Sequence, residues 1–195
     1  VTTATFDRIS WPRRTDRLSI RPARSGDLRA VFDVRTRPEV GQWMPERPAS
    51  YPAFVVRFGE LGLLARTLVM DLDGVVIGDL YLQVTDAWAQ MDTAARAGEE
   101  AEIGWCLSPA HQGHGYVTEA AAELVRICFD DLGVRRISAA AFADNAPSLR
   151  IMERLGMRQE SHGVRDSLHR DLGWVDGVVY ALLADEWRAN RAAAG

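Results

Sequence analysis

The chain has 195 residues, 47% of them hydrophobic, and its 23 basic and 27 acidic side chains give a formal charge of −4. That length and apolar content suffice for one domain with its own core, without disulfides or metals to hold it. The charge balance argues against a nucleic-acid binder; no run of Lys or Arg marks a membrane-binding face, and no apolar run is long enough to span a bilayer.

Residues Val1 to Asp16 mix Thr, Asp, Arg and Pro, which reads as a loosely ordered start rather than a signal peptide. Cys106 and Cys128 are the only cysteines, a usage that suits reduced thiols in a cytoplasm. Residues 1–195 read as a single domain, with a tail over 188–195.

Arg17 to Ala23 alternates apolar and polar residues and predicts a first strand. Ser25-Gly-Asp27 supplies a helix start before Leu28, Val31 and Phe32, which fall at helical spacing. Pro38, Pro45, Pro48 and Pro52 make the next stretch an irregular connector, and a second helix is expected over Ala53 to Leu64. Thr67–Leu72 and Val75–Val84 flank Asp73-Gly74. That dipeptide predicts a hairpin, because a tight type I′ turn needs positive φ at both positions. The polar, Ala-rich stretch from Asp86 to Glu99 reads as a loop.

Ala101 to Leu107 is a strand closed by Ser108-Pro109, and a glycine-bearing loop from His111 to Tyr116 leads into a helix reaching about Leu132. Val117, Ala121, Leu124, Cys128 and Leu132 form its apolar stripe, and Gly133 ends it. Arg136–Phe142 is a strand, Pro147–Leu155 a short helix, Met157–Ser161 a further strand and Val175–Leu183 the last, before a terminal helix. The strand–loop–helix–strand unit in the centre implies a parallel pair with a right-handed crossover, inside an α+β mixed sheet.

Gln112-Gly-His-Gly-Tyr-Val117 stands between a strand and a helix start. Glycines let the backbone approach a ligand there, and the free N–H groups of a helix's first turn, at the positive end of its dipole, suit phosphate or pyrophosphate. The loop lacks the Gly-x-Gly-x-x-Gly spacing of a dinucleotide turn and the Lys-Ser/Thr ending of a P-loop. It resembles the acetyl-CoA signature of the GNAT superfamily, Gln/Arg-x-x-Gly-x-Gly/Ala. Gln112 and Gly115 match, and Val117 departs by standing where Gly or Ala is usual. Glu102-Ile-Gly-Trp105, Tyr116-Val-Thr-Glu-Ala120, Asn145-Ala-Pro-Ser148 and Leu155-Gly-Met157 resemble, in the same order, the RimJ/RimL-like branch of that superfamily, so the likeness covers nearly the whole chain.

The resemblance implies a mostly antiparallel seven-stranded sheet with a central, splayed parallel pair and flanking helices. It implies an N-acetyltransferase that moves acetyl from acetyl-CoA directly to a primary amine, with no metal. Trp105, Cys106 and Leu107 would pair with the pantetheine through their backbone. The amides of Gly113, His114, Gly115, Tyr116, Val117 and Thr118 would hold the pyrophosphate, Gln112 of the same loop would also bind the cofactor, and Asn145 and Ser148 would line the thiol end. Glu102 is the candidate general base, acting through a water, against the plainer alternative of a surface carboxylate. Ser148 is the candidate acid for the leaving thiolate, unless it only caps a helix. A backbone N–H near Cys106 or Leu107 would face the oxyanion.

His111 and His114, with Glu119 beyond, lie in a loop and lack a completing ligand set, so no metal site is expected. Cys106, between Trp and Leu in a strand, reads as a buried structural thiol rather than an acyl carrier. Trp43, Met44, Glu46 and Arg47 in the connector, and His162, Arg165, Asp166 and His169 in an expected long loop, are candidate walls for the acceptor. The acceptor is expected to be a protein or peptide N-terminal α-amine, the alternative being a small amine such as a polyamine or an antibiotic. A CoA-binding module without turnover is the non-enzymatic alternative, and a homodimer the expected assembly.

Overall fold

Asp73 and Gly74 both take positive φ, 52° and 86°, and they turn the chain between the two longest strands of its amino-terminal part. The computed structural model describes residues 3–60, 62–90 and 99–194. In chain order the elements are β1 (Arg13–Arg14), β2 (Ser19–Pro22), α1 (Leu28–Arg35), α2 (Pro38–Gly41), α3 (Tyr51–Glu60), β3 (Thr67–Leu72), β4 (Val75–Thr85) and β5 (Glu100–Leu107). They continue with α4 (Tyr116–Arg126), β6 (Arg136–Phe142), α5 (Ala146–Arg154), β7 (Arg158–His169), β8 (Gly173–Leu183) and α6 (Ala184–Ala194). Helices and a mixed sheet make the fold α+β, as expected. The strands follow the order β1-β2-β3-β4-β5-β6-β8-β7. Among the described residues eight strands replace the expected seven. The structure counts the two-residue β1, which pairs antiparallel with Ser19 and Ile20.

The chain divides into two units, one from Thr2–Leu82 with Gly104–Leu124, the other from Gln83–Ile103 with Val125–Gly195. In the first, β2 and β3 pair antiparallel, as do β3 and β4, and Ile20, Leu68, Met70, Ile77 and Leu80 are fully buried. Phe54 and Phe58 of α3 pack with Val31 of α1 and Val69 of β3, which is what the helical spacing of those apolar residues provides. In the second, β6 and β8 pair antiparallel and β5 meets β6 in parallel. That parallel ladder is confined to Glu100–Glu102 against Arg136–Ser138, as a pair that splays would show. Ile127, Ile137, Met152 and Leu182 are its most buried large side chains.

Several expectations are revised. The helix expected over Ala53–Leu64 ends at Glu60, and Gly62 with φ 60° opens a short 3-10 turn at Leu63–Arg66; residue 61 lies outside the described residues. The irregular connector holds one helical turn, α2, with Pro38 at its first position, where a missing N–H costs nothing. The expected long loop after Ser161 is strand. β7 and β8 form one long hairpin, broken by register shifts at Gln159/Ser161 and Gly163/Ser167. Most β7 residues are exposed, so the sequence carries no alternation to reveal it. The amino-terminal stretch expected to be loose contains a 3-10 turn, with Phe6 and Ile9 buried, and the expected tail is helical up to Ala194. The expected loop at 86–99 falls partly on residues 91–98, outside the described residues. No helix among the described residues is long and apolar enough to cross a membrane.

Candidate functional site

The site begins where β5 runs beside β4. Gly78 lets the two backbones close up: a Cβ there would overlap the carbonyl oxygen of Cys106 and stand 3.1 Å from Leu107 Cα. Ser108 N–H then donates to Ile77 O (2.8 Å), and Pro109–His111 make one 3-10 turn. Gly113 and Gly115 follow with φ of 81° and 80°, a conformation that side-chain-bearing residues avoid, so the alternate glycines are what this bend requires. The Glu119 N–H closes the first α4 bond onto Gly115 O (3.0 Å). The amides of Gly115 to Thr118 therefore lie in the first turn, where no carbonyl of the helix itself can reach them. Gln112, Gly113, His114 and Gly115 are exposed, so the turn opens to solvent. Free first-turn amides open to solvent are a geometry that suits an anion.

Val117, the departure from the signature, is 8% exposed and belongs to the core with Ala120, Ala121 and Leu124. Its branched side chain fills the α4 stripe rather than the open face of the loop.

A contact set invisible in the sequence surrounds the loop. Arg17 donates from Nη1 to His114 O (2.8 Å) and from Nε to Glu119 Oε2 (2.7 Å), while its backbone N–H reaches Glu119 Oε1 (2.9 Å). Thr15 Oγ1 donates to the same Oε1. The guanidinium lies 4.6 Å from the centre of the Tyr116 ring, and the His114 ring stacks on that same ring. Partial burial alone would raise the Glu119 pKa, but the hydrogen bonds from Thr15 and Arg17 outweigh it and hold the carboxyl below the usual range. His114 is thus occupied with Tyr116.

Behind β5, Cys106 Sγ lies 3.2 Å from Met44 Sδ, in a cluster with Val34 and Val40. Burial, with the Asp79 charge, pushes its thiol up to about 12. A thiol so placed is no nucleophile near neutrality. Asp79 is itself 1% exposed and paired with Arg35 through Nε (3.2 Å) and Nη2 (2.5 Å).

The other unit carries the remaining candidates. Glu102 is exposed on β5, opposite Ser138, and its carboxylate makes no hydrogen bond or ion pair with another described residue. Asn145 is 8% exposed and caps α5, its side chain accepting from Ser148 N–H (3.4 Å). The cap is therefore Asn145 and not Ser148, and it fixes the turn on which the Ser148 hydroxyl sits, half-buried. On the β7–β8 hairpin, His162 Nε2 is 2.7 Å from Asp176 Oδ2, and Asp176 also accepts from Arg165 N–H (2.9 Å). Those two bonds hold the Asp176 carboxyl below its ordinary value, the His162 bond foremost. Arg165 and Trp174 line an open cavity on this hairpin. His169 is buried, with Phe142 at its ring edge and its Nδ1 accepting from the N–H groups of Asp171 and Leu172. Of the connector residues, Glu46 pairs with Arg57, and Trp43 is half-buried.

The signature loop, the last residues of β5 from Gly104 and the first turn of α4 lie in one unit. Residues 17–158 match the acetyltransferase (GNAT) domain family. The chain is similar to the uncharacterized N-acetyltransferase YnaD of Bacillus subtilis (strain 168), 36% identical over 86 residues. That match takes in 44% of this chain and spans only half the length of YnaD. It is also similar to the L-amino acid N-acetyltransferase AaaT of Escherichia coli (strain K12), 26% identical over 174 residues, which are 83% of this chain and 95% of AaaT. The crystal structure of a GNAT-family acetyltransferase from Bacillus anthracis superposes with a TM-score of 0.72 at 26% identity, covering 89% of this chain and 98% of that one. A family match over residues 17–158, most of the length, places this chain in the GNAT acetyltransferase family.

Proposed function

We propose that this protein transfers the acetyl group of acetyl-CoA directly to the α-amine of an amino acid or peptide. The observation that carries the reading is the exposed turn at Gly113 and Gly115, whose paired left-handed residues open the first-turn amides of α4 to an anion. The amides of Gly113 to Thr118 take the pyrophosphate, the Gln112 N–H being already bonded to Pro109 O, and the backbone of Trp105 to Leu107 pairs with the pantetheine. The core position of Val117 removes the sequence feature that most favoured a module without turnover.

In the reaction the neutral amine attacks the thioester carbonyl carbon, the carbonyl π electrons move to oxygen, and their return breaks the C–S bond and releases CoA as thiolate. A backbone N–H at Cys106 or Leu107 donates to the developing oxyanion. Glu102, exposed and without a described ion-pair partner, accepts the amine's proton through a water, and Ser148 donates to the leaving sulfur. An α-amine, with a pKa of about 8, needs far less help from such a base than a lysine-like amine at about 10.4. AaaT, matched over nearly its whole length, is named for acetylating L-amino acids, which supports an α-amine acceptor.

Calorimetric titration with acetyl-CoA tests the donor. Saturable binding is expected in the wild type and none in Gly115→Glu, which puts bulk and negative charge into the cradle. Undiminished binding in that variant overturns the reading. Thiol release across free amino acids, peptides and polyamines then identifies the acceptor, and Glu102→Gln is expected to slow turnover near neutral pH while keeping acetyl-CoA affinity.

A further inference from the structure

Positive φ explains why glycines stand at 113 and 115 but not what holds them in one conformation, since glycine is the residue least able to fix its own backbone. The network around Arg17 supplies that. Arg17 comes from the chain ahead of β2, about a hundred residues away in sequence, and reaches three successive parts of the loop: the His114 carbonyl, the Tyr116 ring and the Glu119 carboxylate. Glu119 is tied twice more, by Thr15 Oγ1 and by the Arg17 backbone N–H. The guanidinium also borders the cradle itself, its Nη2 standing 3.6 Å from where a Cβ on Gly115 would lie. An ordinary surface ion pair joins two flexible side chains and contributes little. Here the carboxylate is only 16% exposed, and the arginine bonds both it and a loop carbonyl.

The arrangement also answers an electrostatic difficulty. Glu119 sits in the first turn of α4, where its charge suits the helix dipole but opposes an incoming pyrophosphate. Arg17, with Nη2 2.6 Å from Oε2, neutralises that charge and leaves the dipole and the free amides facing the ligand.

Resting on the acetyl-CoA reading above, we infer that Arg17 is a positioning residue for the phosphate part of the donor: by binding His114 O and Glu119 it presets the Gly113–Gly115 turn and masks the one carboxylate in the first turn of α4. Its action is on the phosphates, so it should distinguish a donor that carries them from one that does not. Arg17→Gln is expected to weaken acetyl-CoA binding by calorimetry about tenfold or more, while S-acetylpantetheine, measured as a competitor, keeps its affinity. Arg17→Lys, which restores the charge but not the fork, falls between. In Arg17→Gln/Glu119→Gln, loss of the unmasked carboxylate returns part of the lost acetyl-CoA affinity. Amide hydrogen exchange in the unliganded protein at Glu119, whose N–H closes the first α4 bond onto Gly115 O, is expected to quicken in Arg17→Gln. Equal losses for both ligands would make Arg17 a scaffold residue and overturn the inference, as would unchanged acetyl-CoA affinity. A wild type that binds no acetyl-CoA would remove the functional reading first and this inference with it, whereas wild-type binding with an unaffected Arg17→Gln removes this inference alone.

Discussion

At the scale of single residues, the two thiols show how burial decides chemistry. Cys106 and Cys128 have the same side chain as a catalytic cysteine, but both are enclosed and free of disulfide partners. Burial raises the pKa of each, Cys106 to about 12. At pH 8 Cys106 is then held almost wholly as the thiol, which makes it a poor nucleophile. Folded protein is therefore expected to leave both thiols unmodified by a disulfide reagent at pH 8, and denatured protein to titrate both. Rapid reaction of one thiol in the folded state would reopen a covalent route through that residue.

Among the elements, β4 and β5 depend on a single missing side chain. A Cβ on Gly78 would collide with the Cys106 carbonyl and stand 2.5 Å from Met70 Cε, and backbone cannot step aside as a flexible side chain can. Gly78→Ala is expected to destabilise by about 1–3 kcal/mol or more, read as a lower urea midpoint, and to weaken acetyl-CoA binding by shifting the Trp105–Leu107 backbone. An unchanged midpoint would mean the two strands can part without cost. Legibility in the sequence followed the same division between local and distant signals. The Asp73-Gly74 hairpin, the α4 stripe and the glycine loop were readable because each is specified by residues within a few positions of one another. β7 was readable only over its first residues, to Ser161; beyond them an edge strand exposed on both faces has no alternation to show. The Arg17–Glu119 pair was not readable, since its members stand 102 residues apart and come together only through the fold. Asn145 was singled out for the cofactor's thiol end, and its capping of α5 appeared only with the structure, because Asn is equally suited to either task.

For the whole molecule, the depressed carboxyls set how the fold answers acid. Asp27 is held below its ordinary pKa chiefly by the Arg21 hydrogen bond, against an opposing desolvation, and Glu119 by the Thr15 and Arg17 bonds that outweigh its burial. Both lie in the unit that carries the Gly113–Gly115 turn. Asp176, in the other unit, is lowered mainly by His162 but stands open to solvent, which screens its share. A carboxyl whose folded pKa is depressed contributes stability that is complete above its unfolded pKa, about 3.9 for Asp and 4.3 for Glu, and that is lost as pH falls through the lower folded value. The melting temperature should therefore hold from pH 7 down to about 5 and fall below about 4. Because two of the three groups sit in one unit, hydrogen exchange in Thr2–Leu82 and Gly104–Leu124 should quicken first. Asp27→Asn should melt lower than wild type at pH 7, having lost the Arg21 pair, yet show a shallower decline in acid, because the proton it would have taken up is no longer part of the equilibrium. A decline that begins near pH 6, or an Asp27→Asn variant that keeps the full acid slope, would mean that groups other than these carboxyls govern the transition.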